Sequence, residues 1–313
     1  MSKMDRGVSV TIDRQACIGC GLCVEACPSQ TLSLVEGKAA VTGDQSLGCG
    51  HCAAVCPVGA ITVGVIDEEQ YRFASFQADD RWLPHGRPEP AGLVRLMASR
   101  RSCRKFKNTP LDLDILEDLV KIGITAPSGS NCQLWTFTLV PTRPAVEAFG
   151  GRVALFFERL NNMAERKALR TFLKLIGKPA LDNYYRDYYD EIREALAERE
   201  ISGRDLLFHG APAVIVVGSA PGASCPGEDA LLACQNILLG AHALGLGTCL
   251  IGFAVEAMTR DPKIKSFLGA PRDETVHAVI AVGRPDEEYQ WITGRKKPLV
   301  RVFEPEPAEA ADS

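Results

Sequence analysis

Residues 17–28 read Cys-Ile-Gly-Cys-Gly-Leu-Cys-Val-Glu-Ala-Cys-Pro, and residues 46–57 read Ser-Leu-Gly-Cys-Gly-His-Cys-Ala-Ala-Val-Cys-Pro. The second stretch repeats the first at an offset of 29 residues, with Ser46 where the repeat calls for cysteine. Cysteines three apart in a tight loop present their thiolates to neighbouring corners of one polynuclear centre. The last cysteine of each run, Cys27 or Cys56, lies four residues further on and does not easily reach back to it. Pro28 and Pro57 turn the chain and remove a backbone donor. Gly19, Gly21, Gly48 and Gly50 allow the backbone to approach inorganic sulfide and donate N–H groups to it. Sets of four cysteines also bind zinc. A duplicated spacing of this kind is more specific for iron–sulfur clusters than a single Cys-x-x-Cys pair.

The run resembles that of bacterial two-cluster ferredoxins. The resemblance implies that Cys17, Cys20, Cys23 and Cys56 hold one 4Fe–4S cluster. It implies that Cys49, Cys52 and Cys27 hold a second, with Ser46 at the uncertain corner. Serine could ligate iron through its alkoxide, the corner iron could be absent (a 3Fe–4S cluster), or Asp44 or water could fill the position.

Disulfides are a poor reading of the remaining cysteines. Cys103, Cys132, Cys225, Cys234 and Cys249 are scattered, mostly among apolar or small neighbours, as reduced buried thiols are. Met1 to Thr11 is polar and contains no apolar core segment, so no secretory leader is expected. The expected location is cytoplasmic. The chain has 313 residues, a length for about two domains, with 46% hydrophobic and 24% charged residues. A net charge of −4 gives no support for nucleic-acid binding, and no apolar run approaches the roughly 20 residues of a membrane span. The composition divides the chain into a two-cluster domain (1–65), a Pro-rich linker (66–90), a larger domain (91–303) and an acidic, Pro- and Ala-rich tail (304–313) expected to be disordered.

Three segments of the larger domain stand out. Arg100-Arg101-Ser102-Cys103-Arg104-Lys105-Phe106 gathers cations and a hydroxyl that can clamp a phosphate, although such a run also occurs as a solvated basic patch. Ala126-Pro127-Ser128-Gly129-Ser130-Asn131-Cys132-Gln133-Leu134-Trp135 follows an amphipathic helix expected from Leu113 to about Ile124. It precedes a strand-like Thr136–Val140 and offers either a dense set of hydrogen bonds or a plain turn. Ala230 to Gly247 reads as a helix apolar almost all round, hence buried on every side, in a domain centre or a subunit interface. It stops at Gly245 and Gly247, and Thr248–Phe253 then reads as a short strand.

In this order the three segments, with Gly294-Arg295-Lys296-Lys297-Pro298-Leu299, resemble the FMN-dependent nitroreductase family over roughly Leu93 to Val302. The resemblance implies an α+β fold, a mixed and mainly antiparallel sheet wrapped by helices, in a domain-intertwined homodimer with FMN at its interface. By position, Arg100, Arg101, Ser102 and Arg104 would hold the FMN phosphate, with Arg295 and Lys297 closing on it. Pro127, Ser128 and Asn131 would touch the flavin ring from the partner subunit. Ile251 and Gly252 match the segment whose backbone N–H faces flavin N5. No side chain stands out as a nucleophile or general base. His209 and His242 could donate protons, His242 more as a packed structural histidine. Residues 152–205 depart from the smaller members of the family. They are helix-prone, with Tyr184, Tyr185, Tyr188 and Tyr189 on a shared face, and read equally as a lid over the flavin or as an extra helical pair.

The expected activity is a flavin oxidoreductase passing electrons between the clusters and FMN to reduce a small planar acceptor: a nitroaromatic, quinone or activated alkene. No G-x-G-x-x-G follows a strand, so no Rossmann NAD site is evident; the donor would be NAD(P)H, which members of the resembled family stack directly on the flavin, or a redox protein such as ferredoxin. The alternatives are an electron-transfer or redox-sensing module serving a protein partner, and a specialised branch such as reductive dehalogenation or flavin cleavage for cobamide synthesis.

Overall fold

The computed structural model describes residues 7–304. The expected tail therefore lies, apart from Glu304, outside the described residues. The cysteine-rich unit is two small antiparallel pairs. β1 (Val10–Ile12) pairs with β4 (Ile61–Val63), and β2 (Leu32–Val35) forms a hairpin with β3 (Lys38–Val41). Between them stand two one-turn helices, α1 (Leu22–Glu25) and α2 (His51–Ala54). Gly21 and Gly50 open these helices at φ 81° and 76°, a left-handed backbone that glycine adopts without the Cβ penalty. Cys17, Cys23 and Cys52 are buried with Leu32, Ala39 and Ile61, so the thiols are themselves part of this small core.

The linker crosses the surface but is pinned to the larger domain. The backbone N–H groups of Ala74 and Ser75 and the Ser75 hydroxyl donate to the buried Asp118 carboxylate at 3.0, 2.7 and 2.5 Å. Lys121 donates to the Arg72 carbonyl at 2.6 Å. The larger domain opens with α3 (Pro90–Ser99), whose first N–H groups are capped by Glu89. Proline at the first helical position has no N–H to leave orphaned.

The centre is a four-stranded antiparallel sheet in the order β5 (Trp135–Val140), β6 (Ala213–Ser219), β8 (Thr275–Gly283), β7 (Gly247–Leu250). Its parallel component is a single bridge, Ser102 to Thr248. β6 is buried along its whole length, which explains its unbroken apolar sequence. Its residues alternate between two cores: Val214 and Val216 face α5 (Arg143–Ala164) and α10 (Gly252–Arg260), while Ala213, Ile215 and Val217 face α4 (Leu113–Gly123) and α9 (Pro226–Ala243). α4 and α9 approach so closely that a Cβ on Gly123 would lie 2.9 Å from Ile237, and one on Gly240 2.8 Å from Ile122.

Within one chain α9 buries a single stripe: Ala233, Ile237 and Ala241 face the sheet and α4, whereas Leu231 and Leu232 are about half exposed, on the face that the expected subunit interface would cover. A helix on a sheet face covers one stripe only, and its opposite face needs another partner. One sequence expectation is corrected: Thr248–Phe253 is not one strand. β7 ends at Leu250 and α10 begins at Gly252.

Residues 152–205 are helical. The end of α5 is followed by α6 (Lys167–Leu175), α7 (Ala180–Asp187) and α8 (Tyr189–Ser202), around a satellite core of Ala164, Leu181 and Tyr189. The helix breaks at Tyr188, so the four tyrosines divide their work. Tyr185 packs on Tyr189 with ring centroids 4.7 Å apart and under the Arg170 guanidinium, while Tyr184 and Tyr188 turn to a large cavity.

Candidate functional site

The cysteines ring two small cavities of the N-terminal unit. Cys17, Cys20, Cys23 and Cys56 line one, beside Gly19 and Gly21. Cys27, Ser46, Cys49 and Cys52 line the other, beside Gly48 and Gly50. The crossed partition follows from geometry: after each helix the chain leaves the first three positions and delivers its last cysteine to the neighbouring loop. The repeat extends to hydrogen bonds on sulfur. Thr31 N–H donates to Cys27 Sγ at 3.3 Å, and Ala60 N–H, 29 positions later, to Cys56 Sγ at 3.2 Å. Such donors stabilise a thiolate. Burial alone would raise the Cys27 thiol, but the Thr31, Ser29 and Leu32 donors together outweigh it and hold it below its ordinary value. The Ala39 and Gly19 N–H groups lower Cys17, while burial raises Cys23 and Cys52. At position 46 the serine hydroxyl accepts from Gly48 N–H at 3.1 Å and faces the second cavity. Among the described residues no three His, Cys, Asp or Glu side chains converge tightly enough for a single metal ion.

In the larger domain, the basic run is drawn onto the sheet edge by the Cys103 N–H bond to the Thr248 carbonyl, 2.8 Å. Its cations have different partners. Lys105 pairs with Asp286 at 3.4 Å, and Arg101 donates to Thr293 at the start of the C-terminal segment. Among the described residues Arg100 and Arg104 have no ion pair, which leaves their charge available to an anion. Ser102 lies beside Cys249, whose thiol is raised by burial against the pull of Arg104 and Ser102. Burial likewise holds Cys234 up at about 11, so these thiols are neutral packing groups. Arg295 and Lys297 are exposed on the C-terminal segment; Thr293 is that segment's link to the basic run, through Arg101.

Arg104 opens onto a cavity of about 1000 Å³ that Cys249, Ile251, Gly252, Tyr184, Tyr188 and Phe253 also line. The Ile251 N–H is already given to the Val279 carbonyl at 2.8 Å. Gly252, at the start of α10, is thus the residue of the pair with a backbone donor to offer, and the space where its Cβ would stand is open. His209 lines the same cavity; burial first and Arg104 second lower its pKa, so it is neutral at neutral pH. His242 is half-buried near the end of α9. Tyr184 donates to Asn161 Oδ1 at 2.5 Å, and burial pushes its phenol up.

Pro127, Ser128 and Asn131 do not line that cavity. Their loop stands at the other end of the sheet, before β5. Asp229, buried in the first turns of α9, accepts from Gly129 N–H at 2.8 Å, and its carbonyl accepts from the Trp135 indole at 3.0 Å. Ser128 Oγ accepts from Gln133 N–H at 3.0 Å. Sequence reasoning passed over Asp229, because it began the helix at Ala230, whereas α9 begins at Pro226 and takes Asp229 into its first turns. It also passed over the contact of Asn131 Nδ2 with the Leu47 carbonyl, 2.9 Å, for which no local pattern exists.

The family model described as "Nitroreductase family" matches residues 97–284, and that described as "4Fe-4S dicluster domain" matches residues 10–63. The chain belongs to the nitroreductase family. This nitroreductase-family member carries a 4Fe-4S dicluster ferredoxin domain at its N-terminal end. It is 23% identical over 208 residues to iodotyrosine deiodinase 1 of Pongo abelii, a match covering 66% of each protein. It is 25% identical over 217 residues to an NADPH-dependent oxidoreductase of Staphylococcus epidermidis, covering 67% of this chain and 72% of that one. Among solved structures it is similar to a nitroreductase with bound FMN from Bacteroides fragilis, at 21% identity and a TM-score of 0.47, covering 67% of this chain and 98% of that one. Among the described residues no helix is long and apolar enough to cross a membrane.

Proposed function

We propose that this nitroreductase-family chain works as a homodimer that takes electrons in through two iron–sulfur clusters and uses FMN to reduce a small planar acceptor. The reading is carried by one observation. Arg104, which has no ion pair among the described residues, and the opening of α10 meet at a cavity of about 1000 Å³ whose far walls are the aromatic residues Tyr184, Tyr188, Phe157 and Phe253. A cavity of this size, walled by rings, suits a bound planar substrate better than a bare electron-transfer surface.

The residues fit the implied groups. Arg100, Ser102 and Arg104 would hold the FMN phosphate, and guanidinium forks match phosphate oxygens. Arg101, through Thr293, would bring Arg295 and Lys297 towards it. The Gly252 N–H and the positive end of α10 would face the ring. When bound, FMN supplies two-electron chemistry and the clusters supply single-electron transfer. Neutral His209 can give or take a proton at the cavity wall, while the raised Tyr184 phenol keeps its proton and acts through packing.

The second subunit would supply Pro127, Ser128 and Asn131, which the cavity of one chain lacks. Half-exposed Leu231 and Leu232 on α9, and Trp291, Val302 and Phe303 on the C-terminal segment at 86%, 81% and 88% exposure, are apolar surface for that interface. Cysteines free of disulfides fit a reducing cytoplasm.

A second reading, reductive dehalogenation, is favoured by the relatives named iodotyrosine deiodinase and by the aromatic walls. An anaerobic screen tests both. NADH, NADPH and reduced ferredoxin are offered as donors, against a nitroaromatic, a quinone, an activated alkene and an iodophenol. Turnover of the first three classes supports the main reading, and iodide release alone supports the second. A purified protein that takes up neither flavin nor iron, or turns over none of the four, contradicts both.

A further inference from the structure

We propose that the set Cys27, Ser46, Cys49 and Cys52 is the inner centre of the relay, joined to the flavin loop through Asn131. The set Cys17, Cys20, Cys23 and Cys56 is then the outer centre. The inference rests on the reading above, that both sets hold clusters and that the loop 127–131 faces a flavin.

Asn131 reaches across the domain boundary. Its Nδ2 donates to the carbonyl of Leu47 at 2.9 Å, and Leu47 lines the second cysteine cavity next to Ser46. Its Oδ1 accepts from Gln133 Nε2 at 3.1 Å. With one partner on each side of the amide, the orientation of Asn131 is determined by the network. The loop is held in a conformation that side chains avoid: Ser130, Asn131 and Gln133 have φ of 54°, 54° and 51°. Non-glycine residues persist there only when their surroundings over-determine them, and such residues cluster at functional sites. The buried Asp229 provides that restraint from below, through Gly129.

The two cysteine loops differ accordingly. Residues 46–50 are all at least partly covered, whereas Cys20 and Ile18 of the first loop are exposed, Ile18 at 61%. An outside carrier can therefore approach the first loop, while the second is turned to the flavin domain. The donor is a reduced one-electron carrier of the ferredoxin class. Each transfer, from carrier to outer centre to inner centre, oxidises one group by one electron and reduces the next, with no bond made or broken. Two such electrons and two protons from water match the capacity of one flavin. The non-cysteine corner, Ser46, then belongs to the centre that hands electrons to the flavin side.

The test is an EPR-monitored redox titration of the complete, cluster- and flavin-loaded protein. Ser46→Cys and Lys38→Gln (Lys38 donates to the Cys17 carbonyl) each shift one of the two cluster signals and so label the inner and outer centres. Asn131→Leu is expected to shift the potential of the signal that Ser46→Cys labels and to leave the other in place. In stopped flow with reduced methyl viologen, the same variant should lose the fast bleaching of the flavin band while the cluster absorbance bleaches at its usual rate. Asn131→Gln, which keeps an amide donor, should recover part of both. A shift confined to the signal labelled by Lys38→Gln, or no shift and an intact fast phase at full iron and flavin content, overturns the proposal. Absence of iron or flavin from the unmodified protein overturns instead the reading beneath it.

Discussion

The loops 17–28 and 46–57 share their local structure. Each has a glycine in left-handed backbone before a one-turn helix and an N–H donor on its last cysteine. Their surroundings do not match. Around the first loop are the β2–β3 turn, the Lys38 ammonium on the Cys17 carbonyl, and solvent. A Cβ on Gly19 would collide with the Gly37 carbonyl oxygen. Around the second are Val65 and Ile66, 2.7 Å from where Cβ atoms on Gly48 and Gly50 would stand, and Asn131 of the larger domain. Duplication copies what neighbouring residues dictate. It does not copy what the rest of the chain packs against each copy, and that packing leaves the first loop open to solvent and turns the second to the larger domain.

The strongest way to break the comparison is to remove a buried cysteine from each loop. Cys23→Ala and Cys52→Ala should each lose one cluster and keep the other, with iron per chain falling to about half and a different EPR signal disappearing in each. If either variant empties both cavities, the two loops are one cooperative unit.

Next in size is the pin that holds the linker against the larger domain. Asp118→Ala leaves the Ala74 and Ser75 N–H groups without their acceptor and should destabilise the protein by about 3 kcal/mol, read from denaturant unfolding. Burial would raise the Asp118 carboxyl, but the Ser75 hydroxyl and the two N–H donors hold it below its ordinary 3.8. The unfolded chain therefore takes up the proton at higher pH than the folded one. The stabilisation is present above about 3.8 and fades as the pH falls through the folded-state value; Asp118→Ala should show less of this acid loss. An unchanged unfolding midpoint in the variant would mean that the linker, with Val65 and Ile66, covers the second loop without help from Asp118.

Ser46→Cys sharpens the comparison by making the repeat complete. It should change the EPR spectrum and potential of one cluster and leave the thermal midpoint nearly where it was, since the position already lies among ligands in a preformed loop. The smallest effect is expected at His209, which belongs to neither loop. Its pKa is lowered from 6.5 by burial and by Arg104. Stability should be flat with pH above about 6.5 and decline below it, because the unfolded histidine takes up the proton first. His209→Gln should flatten that decline without moving either cluster signal.

Much of this was legible in the sequence because it is local. The cysteine spacing, the helix Leu113–Gly123 and strand β5 each follow from residues within a few positions of one another, and the α+β fold was implied by the motifs that carry the family resemblance. What misled was also local reasoning. The apolar run of α9 reads as burial on all sides, but composition does not say which face the sheet covers within the chain and which is left for a partner. The run after β7 reads as strand because apolar residues near a glycine do not show where a helix will start. Ile251 and Gly252 are indistinguishable as backbone donors until the sheet takes the first of them.

The sequence by itself determined that this is a nitroreductase-family chain with a two-cluster ferredoxin domain, since family and cluster type reside in short motifs whose chemistry depends on spacing. The tertiary structure alone decided which cysteine loop faces the larger domain. The contact responsible, Asn131 to Leu47, joins residues 84 positions apart, and the Asp118 pin on Ser75 joins residues 43 apart. Contacts of that span arise from how whole elements pack, and no pattern of neighbouring residues encodes them.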